Sequence, residues 1–162
     1  MQGIFFYVMK NDVMKNLPHN IAQFLQQQTV MSIAVHSAQG FWAANCFYVF
    51  DDNNISLIFF SSLSTQHAQI MQQSDLVVGT IATQTDQVNE IEGVQFKGRA
   101  ILLNENARQS ALKSALKRYY DRYPFARLMN TDLWQIELDE IKHTSNKFVF
   151  AQKTYWQRTS AV

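Results

Sequence analysis

The sequence contains few of the residues that characterise several large protein classes. It has one cysteine, Cys46, together with 5 glycines and 2 prolines among 162 residues. A single cysteine cannot form an internal disulfide, so the sequence predicts a protein of the reducing cytoplasm. Free cysteines are usually buried, and we therefore interpret Cys46 as a small core residue rather than a nucleophile. The scarcity of glycine and proline argues against long disordered segments away from the termini.

The sequence also lacks a strong charge excess and long apolar runs. The formal net charge is +1 and no cluster of Lys and Arg stands out, which argues against a dedicated nucleic-acid-binding protein. No apolar run reaches the roughly 18 to 20 residues that cross a bilayer, so we predict no membrane span. Residues 1–13 lack the basic start and the cleavage site of a signal peptide. We predict that they are an N-terminal extension, because the chain from Met14 resembles a fresh start, and that residues 14–162 form a single domain.

The residues that are abundant predict a β-rich core. Apolar residues make up 47% of the chain and aromatic residues 13%. Helices are predicted over 19–28 and 65–73 and between Asn104 and Pro124, because proline disfavours helical geometry in the residue before it. Strands are predicted at 29–35, 41–50, 55–62, 76–83, 93–103 and 133–141, with 147–156 as a last extended segment. This order is typical of a mainly β fold, a small antiparallel barrel with flanking helices.

Two of the predicted strands, 41–50 and 55–62, are apolar on both faces. A sheet with one wet face would show alternating polar residues instead. Either the sheet curls into a barrel whose outside is covered, or it packs against a second subunit. Both arrangements are compatible with each other.

A hydroxyl-rich turn precedes the second predicted helix. The segment FFSSLSTQHAQI, residues 59–70, places three serines and a threonine before the helix. One interpretation is structural, with Ser64 or Thr65 capping the helix. The other is a phosphate site, because a helix start offers free N–H donors and the positive end of the helix dipole. His67 is compatible with both, since a neutral imidazole fits a simple cap and a bound phosphate would favour a protonated one.

Several motifs occur together in the order seen in one known family. The segments ANCFYVFDD, FFSSLSTQHAQI and GVQFKGRA resemble the FMN-binding split-barrel family related to pyridoxamine 5'-phosphate oxidase. The segments WAANCFYVFDD, TQHAQIM, GVQFKG, YPFARLM and LDEIKHTSN further resemble its YhbP-like branch. The resemblance covers residues 14–158. It implies a six-stranded antiparallel split barrel that forms a homodimer, with FMN in a groove between the subunits.

The resemblance also implies four groups of cofactor-binding residues. One group lies on a strand beside the flavin ring, and a second holds the FMN phosphate at the hydroxyl-rich turn. A third faces the same groove from a later strand, and a fourth closes the site from the partner's C-terminal region. In this order the groups are Asn45, Cys46 and Phe47; Ser61, Ser62, Thr65, Gln66 and His67; Gln95 and Lys97; and Trp156 and Arg158.

The sequence departs from the family pattern at two places. Many flavin-binding relatives have an Arg-Lys pair where this chain has Gln66 and His67. Charge-assisted hydrogen bonds are worth about 1.5 to 3 kcal/mol each, so we expect weaker FMN binding or a different phosphorylated ligand. Asn45 and Cys46 stand where pyridoxamine-phosphate oxidases have an arginine. We therefore do not expect pyridoxamine phosphate as the substrate.

The function implied by the resemblance is that of an FMN-binding oxidoreductase acting on an unidentified small molecule. The alternative is a non-catalytic binding module that has lost flavin and binds another anionic ligand, such as haem or another phosphate compound. No side chain is an evident acid or base, so no catalytic residue is predicted. The four histidines show no spacing typical of a metal site, and none is predicted.

Overall fold

The computed structural model of the chain describes residues 17–104 and 109–159. The extension predicted for residues 1–13 lies outside these ranges. Within them, the α-helices are α1 (His19–Gln27), α2 (Gln66–Gln73) and α3 (Gln109–Arg122), and the 3-10 helices are Val88–Glu90 and Pro124–Leu128. The strands are β1 (Val30–Ser37), β2 (Gly40–Phe47), β3 (Val49–Asp51), β4 (Ser56–Phe60), β5 (Leu76–Ala82), β6 (Glu92–Leu103), β7 (Leu133–Ser145) and β8 (Gln152–Gln157). Over the same residues, no helix is long and apolar enough to cross a membrane.

The strands form one antiparallel sheet, as the sequence predicts. Neighbours follow the order β2-β1-β5-β6-β7-β4-β3, and β8 pairs with the second half of β7, beyond β4. The end of β2 contacts β4, so the sheet curls back on itself into a split barrel. The structure has eight strands instead of six. The predicted strand 41–50 breaks at Tyr48, whose main-chain N–H donates to the Thr29 carbonyl over 2.9 Å, and the last extended segment, predicted at 147–156, forms β8 at Gln152–Gln157.

The main core fills the inside of the curled sheet. Helices α1 and α2 each place one apolar face into it. Residues 133–141 alternate in sequence, which predicts Trp134, Ile136 and Leu138 inward and Gln135, Glu137 and Asp139 outward, and the inward residues of β7 follow this prediction. The contributing side chains are Ile21, Phe24 and Leu25 from α1, Ala68, Ile70 and Met71 from α2, and Trp134, Ile136 and Leu138 from β7. Because α2 contacts β1 and β2, the turn before it is held against the edge of the sheet.

The outer face of the sheet is covered over one half only. Helix α3 packs on β3 and β4 through a second apolar cluster that includes Ile58, Ala115 and Tyr119. Gln135 was predicted to face outward into water, but it is buried, because it lies opposite Ile58 and Ile101 on this covered face. The rest of the outer face, on β2, β1 and β5, exposes large apolar side chains. They are Val30, Phe41, Phe47, Leu76 and Val78.

Candidate functional site

The hydroxyl-rich turn joins β4 to α2, and its last hydroxyl caps the helix. Thr65 Oγ1 accepts a hydrogen bond from the Ala68 N–H at 3.3 Å and donates its own proton to the Ser62 carbonyl at 2.8 Å. The first bond within the helix runs from the Gln69 N–H to the Thr65 carbonyl. The N–H groups of Gln66 and His67 precede it and point out of the helix start. The capping interpretation is therefore correct, and it leaves donors for an anion.

The side chains of Ser61, Thr65 and His67 form a compact triangle. Ser61 Oγ lies 2.6 Å from His67 Nε2 and 3.1 Å from Thr65 Oγ1, which is 3.3 Å from the same Nε2. Ser61 is only 8% exposed. Burial lowers the pKa of His67 below its ordinary value, so its imidazole is neutral near pH 7. The turn thus offers hydrogen-bond donors to a ligand but no fixed positive charge from these three side chains.

The chain before β7 fixes the turn in place. Asp132 accepts the Ser61 N–H with its carbonyl at 2.9 Å and the Leu63 N–H with its Oδ2 at 3.0 Å. Trp134 Nε1 donates to the Ser61 carbonyl over 3.0 Å inside the core. Ser62 and Ser64 bond to each other through their hydroxyls at 2.8 Å. These bonds orient the hydroxyls before any ligand arrives. No local pattern predicts that Asp132 pairs with the turn, because it lies about seventy residues further along the chain.

Among residues 17–104 and 109–159, strand β2 is an edge strand, and it ends beside the turn. The Phe47 carbonyl accepts the Tyr119 hydroxyl at 3.3 Å and therefore points away from β1. Main-chain groups alternate along an antiparallel strand, so those of Asn45 and Ala43 point the same way, along the free edge. Because the end of β2 contacts β4 and α2, the structure brings this edge and the turn together. This pairing of edge and turn agrees with the grouping predicted from the family motifs.

The side chains of Asn45 and Cys46 point to opposite faces of β2. Asn45 Oδ1 accepts the Ser32 hydroxyl at 2.7 Å on the outer face, so a cross-strand neighbour satisfies its amide oxygen. Cys46 points into the core, and burial raises the pKa of its thiol to about 11. The thiol is therefore protonated at neutral pH. A side-chain role at the site is open to Asn45 and Phe47. Cys46 directs its side chain into the core and its main-chain groups toward β1.

Gln95 and Lys97 lie on the outer face of β6, away from the turn. Direct strand partners form the row Asn45, Ser32, Thr80 and Gln95 across four strands. Three strand spacings separate its ends by about 14 Å. Lys97 Nζ forms an ion pair with Glu140 at 3.1 Å, beside a hollow of about 540 Å³ over β6, β7 and β8. Within one chain, therefore, Gln95 and Lys97 share a face with Asn45 but do not adjoin it.

Trp156 and Arg158 stabilise the chain's own fold. Trp156 is buried in the main core. The Arg158 guanidinium donates to the carbonyls of Leu138 at 2.8 Å, Asn54 at 2.9 Å and Ile55 at 3.0 Å, and it lies 5.6 Å from the Trp156 ring centroid. These carbonyls lie at the start of β4, at the opposite end of that strand from Ser61. The structure does not bring Trp156 and Arg158 to the turn of the same chain.

Comparison with solved structures shows the fold. A haem-binding protein of Mycobacterium smegmatis aligns with a TM-score of 0.67 and 12% identity over 87% of this chain, which spans 59% of that protein. An FAD-binding protein of Mesorhizobium loti aligns with a TM-score of 0.62 and 12% identity over 78% of this chain and 94% of that one. HutZ, the haem storage protein of Vibrio cholerae, aligns with a TM-score of 0.60 and 14% identity over 74% and 88%. Because these proteins share only 12 to 14% of their residues with this chain, the comparison shows the fold alone, which is the split barrel.

Comparison with known sequences shows the family. No family model matches the chain. A UPF0306 protein of Haemophilus ducreyi is 42% identical over 145 residues, which cover 90% of this chain and 98% of that protein. A UPF0306 protein of Yersinia enterocolitica is 40% identical over 138 residues, covering 85% and 91%. The chain belongs to the UPF0306 protein family.

Proposed function

We propose that this protein is a homodimeric oxidoreductase that binds FMN and acts on a small molecule. The observation that supports this proposal is that a free strand edge, on β2, ends beside a turn lined with hydroxyl and N–H donors. A flavin mononucleotide has the matching parts, a planar ring with polar atoms along one edge and a phosphate at the end of a chain. Binding sites commonly combine a largely preformed surface with a few convergent polar groups.

The residues present fit both parts of such a cofactor. The N–H groups of Gln66 and His67 and the hydroxyl of Ser62 would surround the phosphate, and Thr65 would orient them as the cap of the helix. The main-chain N–H and carbonyl groups of Asn45 and its neighbours along β2 would pair with the polar edge of the ring. When bound, the flavin supplies the electron transfer, and the protein supplies orientation and hydrogen bonds.

The proposed homodimer follows from the uncovered half of the outer face. Large exposed apolar patches mark interaction sites, and here β2, β1 and β5 present one, with Phe41 80% exposed. Gln95 and Lys97 are too far from their own β2 edge to contact a ligand bound there. Two copies packed through this face would bring Gln95 and Lys97 of one protomer toward the ligand of its partner. The partner would then complete a site that a single chain provides only in part.

The test is a titration of the purified protein with FMN, monitored by absorbance, flavin fluorescence and thermal unfolding. We expect binding of one FMN per chain and a rise in the unfolding temperature. Riboflavin, which lacks the phosphate, is the matched control ligand and should bind more weakly. The variant Ser62→Ala, which removes one hydroxyl of the turn and leaves the Thr65 cap in place, should weaken FMN more than riboflavin. If FMN neither binds nor stabilises the protein, the proposal is wrong.

A second candidate function is non-catalytic binding of haem. Two structural neighbours, the haem-binding protein of Mycobacterium smegmatis and HutZ of Vibrio cholerae, bind or store haem. The observation that favours it is an exposed histidine in an apolar hollow. His36 of β1 lies in a hollow of about 240 Å³ beside Phe41, Leu76 and Val78, with its ring centroid 4.2 Å from that of Phe41. Arg99 lies directly across from Leu76 and would face a haem propionate.

A haem titration separates this candidate from the first. If haem is the ligand, a sharp absorbance band should appear at a stoichiometry of one per chain and should shift or disappear in His36→Ala. His19→Ala removes another exposed histidine, on α1, and is the matched control. Equal behaviour of both variants and the native protein would exclude His36 as the ligand to the iron.

A further inference from the structure

The Ser61 hydroxyl has one proton and two acceptors within reach. The Thr65 hydroxyl proton is already given to the Ser62 carbonyl, so Thr65 Oγ1 acts toward Ser61 and His67 as an acceptor. The 2.6 Å contact between Ser61 Oγ and His67 Nε2 therefore has two arrangements. Either Ser61 donates to a bare Nε2, or Nε2 has a proton and donates to Ser61. In the second arrangement the Ser61 proton is free to turn toward Thr65 or toward a ligand.

An anionic ligand favours the second arrangement. A phosphate oxygen accepts hydrogen bonds. In the first arrangement the Ser61 hydroxyl donates to His67 Nε2 and is not available to the phosphate. A proton on Nε2 releases that donor. It arrives either by a shift of tautomer, which leaves the ring neutral, or by uptake from solution, which also places a positive charge at the turn, and a dianion favours the second route. Burial opposes that charge in the free protein, and a bound dianion would offset the cost. The proton and the anion therefore stabilise each other at this position.

We propose that a phosphate-bearing ligand binds the turn together with one proton, which His67 takes up at Nε2, so that His67 selects ligands by their negative charge. This inference rests on the proposed function for the location of the phosphate. In this proposal His67, when protonated, supplies the positive charge that the Arg-Lys pair supplies in many flavin-binding members of the family that the sequence resembles. The ligand class is a phosphate monoester, which has two negative charges above pH 7.

The surroundings of His67 contain no competing proton acceptor among the described residues. The titratable groups on the elements packed against α2 are His36 of β1, Cys46 of β2 and Asp132 before β7. His36 is on the outer face of the sheet, whereas α2 packs on the inner face. Cys46 is a protonated thiol, and the Asp132 carboxylate accepts the Leu63 N–H. His67 is therefore the residue whose protonation makes ligand binding at the turn depend on pH.

The sign of the pH dependence follows from the proton uptake. When binding takes up a proton, affinity rises as pH falls. Between the pKa of His67 in the free protein and its higher pKa in the complex, one proton corresponds to a tenfold change in Kd per pH unit. The phosphate monoester of FMN has a second pKa of about 6, so its charge is nearly constant between pH 7 and 8.5, where the measurement belongs. Inorganic phosphate exchanges protons of its own in this range, and that exchange is subtracted from its proton count.

The experiment is isothermal titration of the full chain with FMN and, separately, with inorganic phosphate. Runs at pH 7.5 in buffers with different ionisation enthalpies count the protons taken up, and a series from pH 7 to 8.5 gives the slope. We expect uptake of close to one proton and a Kd that rises up to tenfold per pH unit. In His67→Gln both effects should vanish, and in His67→Lys the affinity should be high and independent of pH. Thermal unfolding checks that each variant is folded.

The outcomes separate this inference from the proposed function. If FMN binds without proton uptake, the role of His67 is wrong and the flavin proposal stands. If FMN fails to bind but inorganic phosphate binds with uptake of a proton, the flavin proposal is wrong and the role of His67 stands. If neither ligand binds, both are wrong. Proton counting in the native protein decides the matter even if a variant does not fold.

Discussion

Buried His143 and half-buried Glu92 form a pair on neighbouring strands, with Nε2 of the imidazole 2.9 Å from Oε1 of the carboxylate. The pair is part of a chain of polar contacts. Lys147 binds the other oxygen of Glu92, and the Asn20 amide lies 3.3 Å from His143 Nδ1 and donates to Thr154. These contacts link α1, β6, β7 and β8. They place a fully paired ionisable cluster at one end of the barrel, away from the candidate site.

We predict that Glu92→Gln destabilises the protein by about 1 to 3 kcal/mol at pH 7, the cost of weakening buried charged hydrogen bonds. Burial raises the pKa of Glu92, but the hydrogen bonds from Lys147 and His143 outweigh it and hold the pKa below its ordinary value. A depressed pKa adds stability above the unfolded value of about 4.3, and that stability is lost as pH falls through the folded pKa. Urea unfolding of both proteins between pH 3 and 7 should show the difference shrinking toward acid pH.

The exposed neighbour Glu90 supplies the control for this prediction. Glu90 is exposed and its carboxylate accepts the Thr85 hydroxyl at 3.2 Å, so Glu90→Gln should change stability by less than about 0.5 kcal/mol. If Glu92→Gln and Glu90→Gln changed the free energy of unfolding equally, the hydrogen bonds of Glu92 would not contribute to stability, which would contradict the prediction.

A second prediction concerns the bond that fixes the hydroxyl-rich turn. Trp134→Phe removes the donor to the Ser61 carbonyl and should cost about 1 to 3 kcal/mol, because a buried carbonyl is left without its partner. It should also weaken FMN binding, since the turn is no longer oriented. Trp42→Phe changes a half-exposed tryptophan and should leave stability nearly unchanged. Unfolding curves and FMN titrations of both variants check this, and an unaltered affinity in Trp134→Phe would contradict the role of the bond in orienting the turn.

A third prediction separates two roles for Arg158. The three carbonyl contacts predict that Arg158→Ala lowers stability by about 2 kcal/mol or more in the absence of any ligand. Arg127→Ala, at an exposed arginine near the Tyr120 ring, is the control and should cost under about 1 kcal/mol. Unfolding by guanidinium chloride measures both. If Arg158→Ala keeps full stability but binds FMN weakly, its role is at the ligand, as the family resemblance implies.

A fourth prediction tests the uncovered face. A lysine in place of Val78 puts a charge in the centre of the apolar patch on β1, β2 and β5, and should convert the proposed dimer to a monomer without unfolding it. Val88→Lys places the same charge on an exposed site of a 3-10 helix and should leave the dimer intact. Sedimentation velocity distinguishes the species. A native protein that is monomeric at tens of micromolar would contradict the dimer.

The sequence predicted the parts of the fold that depend on local pattern. Residue alternation identified the inward face of β7, and the hydroxyls identified the start of α2 with Ser64 or Thr65 as its cap, of which the structure uses Thr65. The break at Tyr48 was missed, because it depends on a hydrogen bond to Thr29 that no local pattern encodes. The burial of Gln135 was missed for a similar reason. Only the packing of a helix from elsewhere in the chain covers that face.

The same limit applied to the candidate site. Motif order placed the edge of β2 near the hydroxyl-rich turn, and the structure brings the two together. The sequence left open what satisfies the Asn45 amide, because the Ser32 hydroxyl becomes its neighbour only through strand register. Arg158 was assigned from the resemblance to a ligand, whereas in this chain its guanidinium binds three main-chain carbonyls. Such long-range partners follow from topology and register, which the residue pattern alone does not determine.

The free edge of β2 has a consequence for handling the protein. A long strand lacking a neighbour on one side is a template onto which another extended peptide can add, the first step of ordered aggregation. Any molecule lying along that edge would occupy the main-chain groups that such a peptide needs. Supplying riboflavin during overexpression should then lower the share of product found in inclusion bodies, which makes the choice of growth medium part of the preparation.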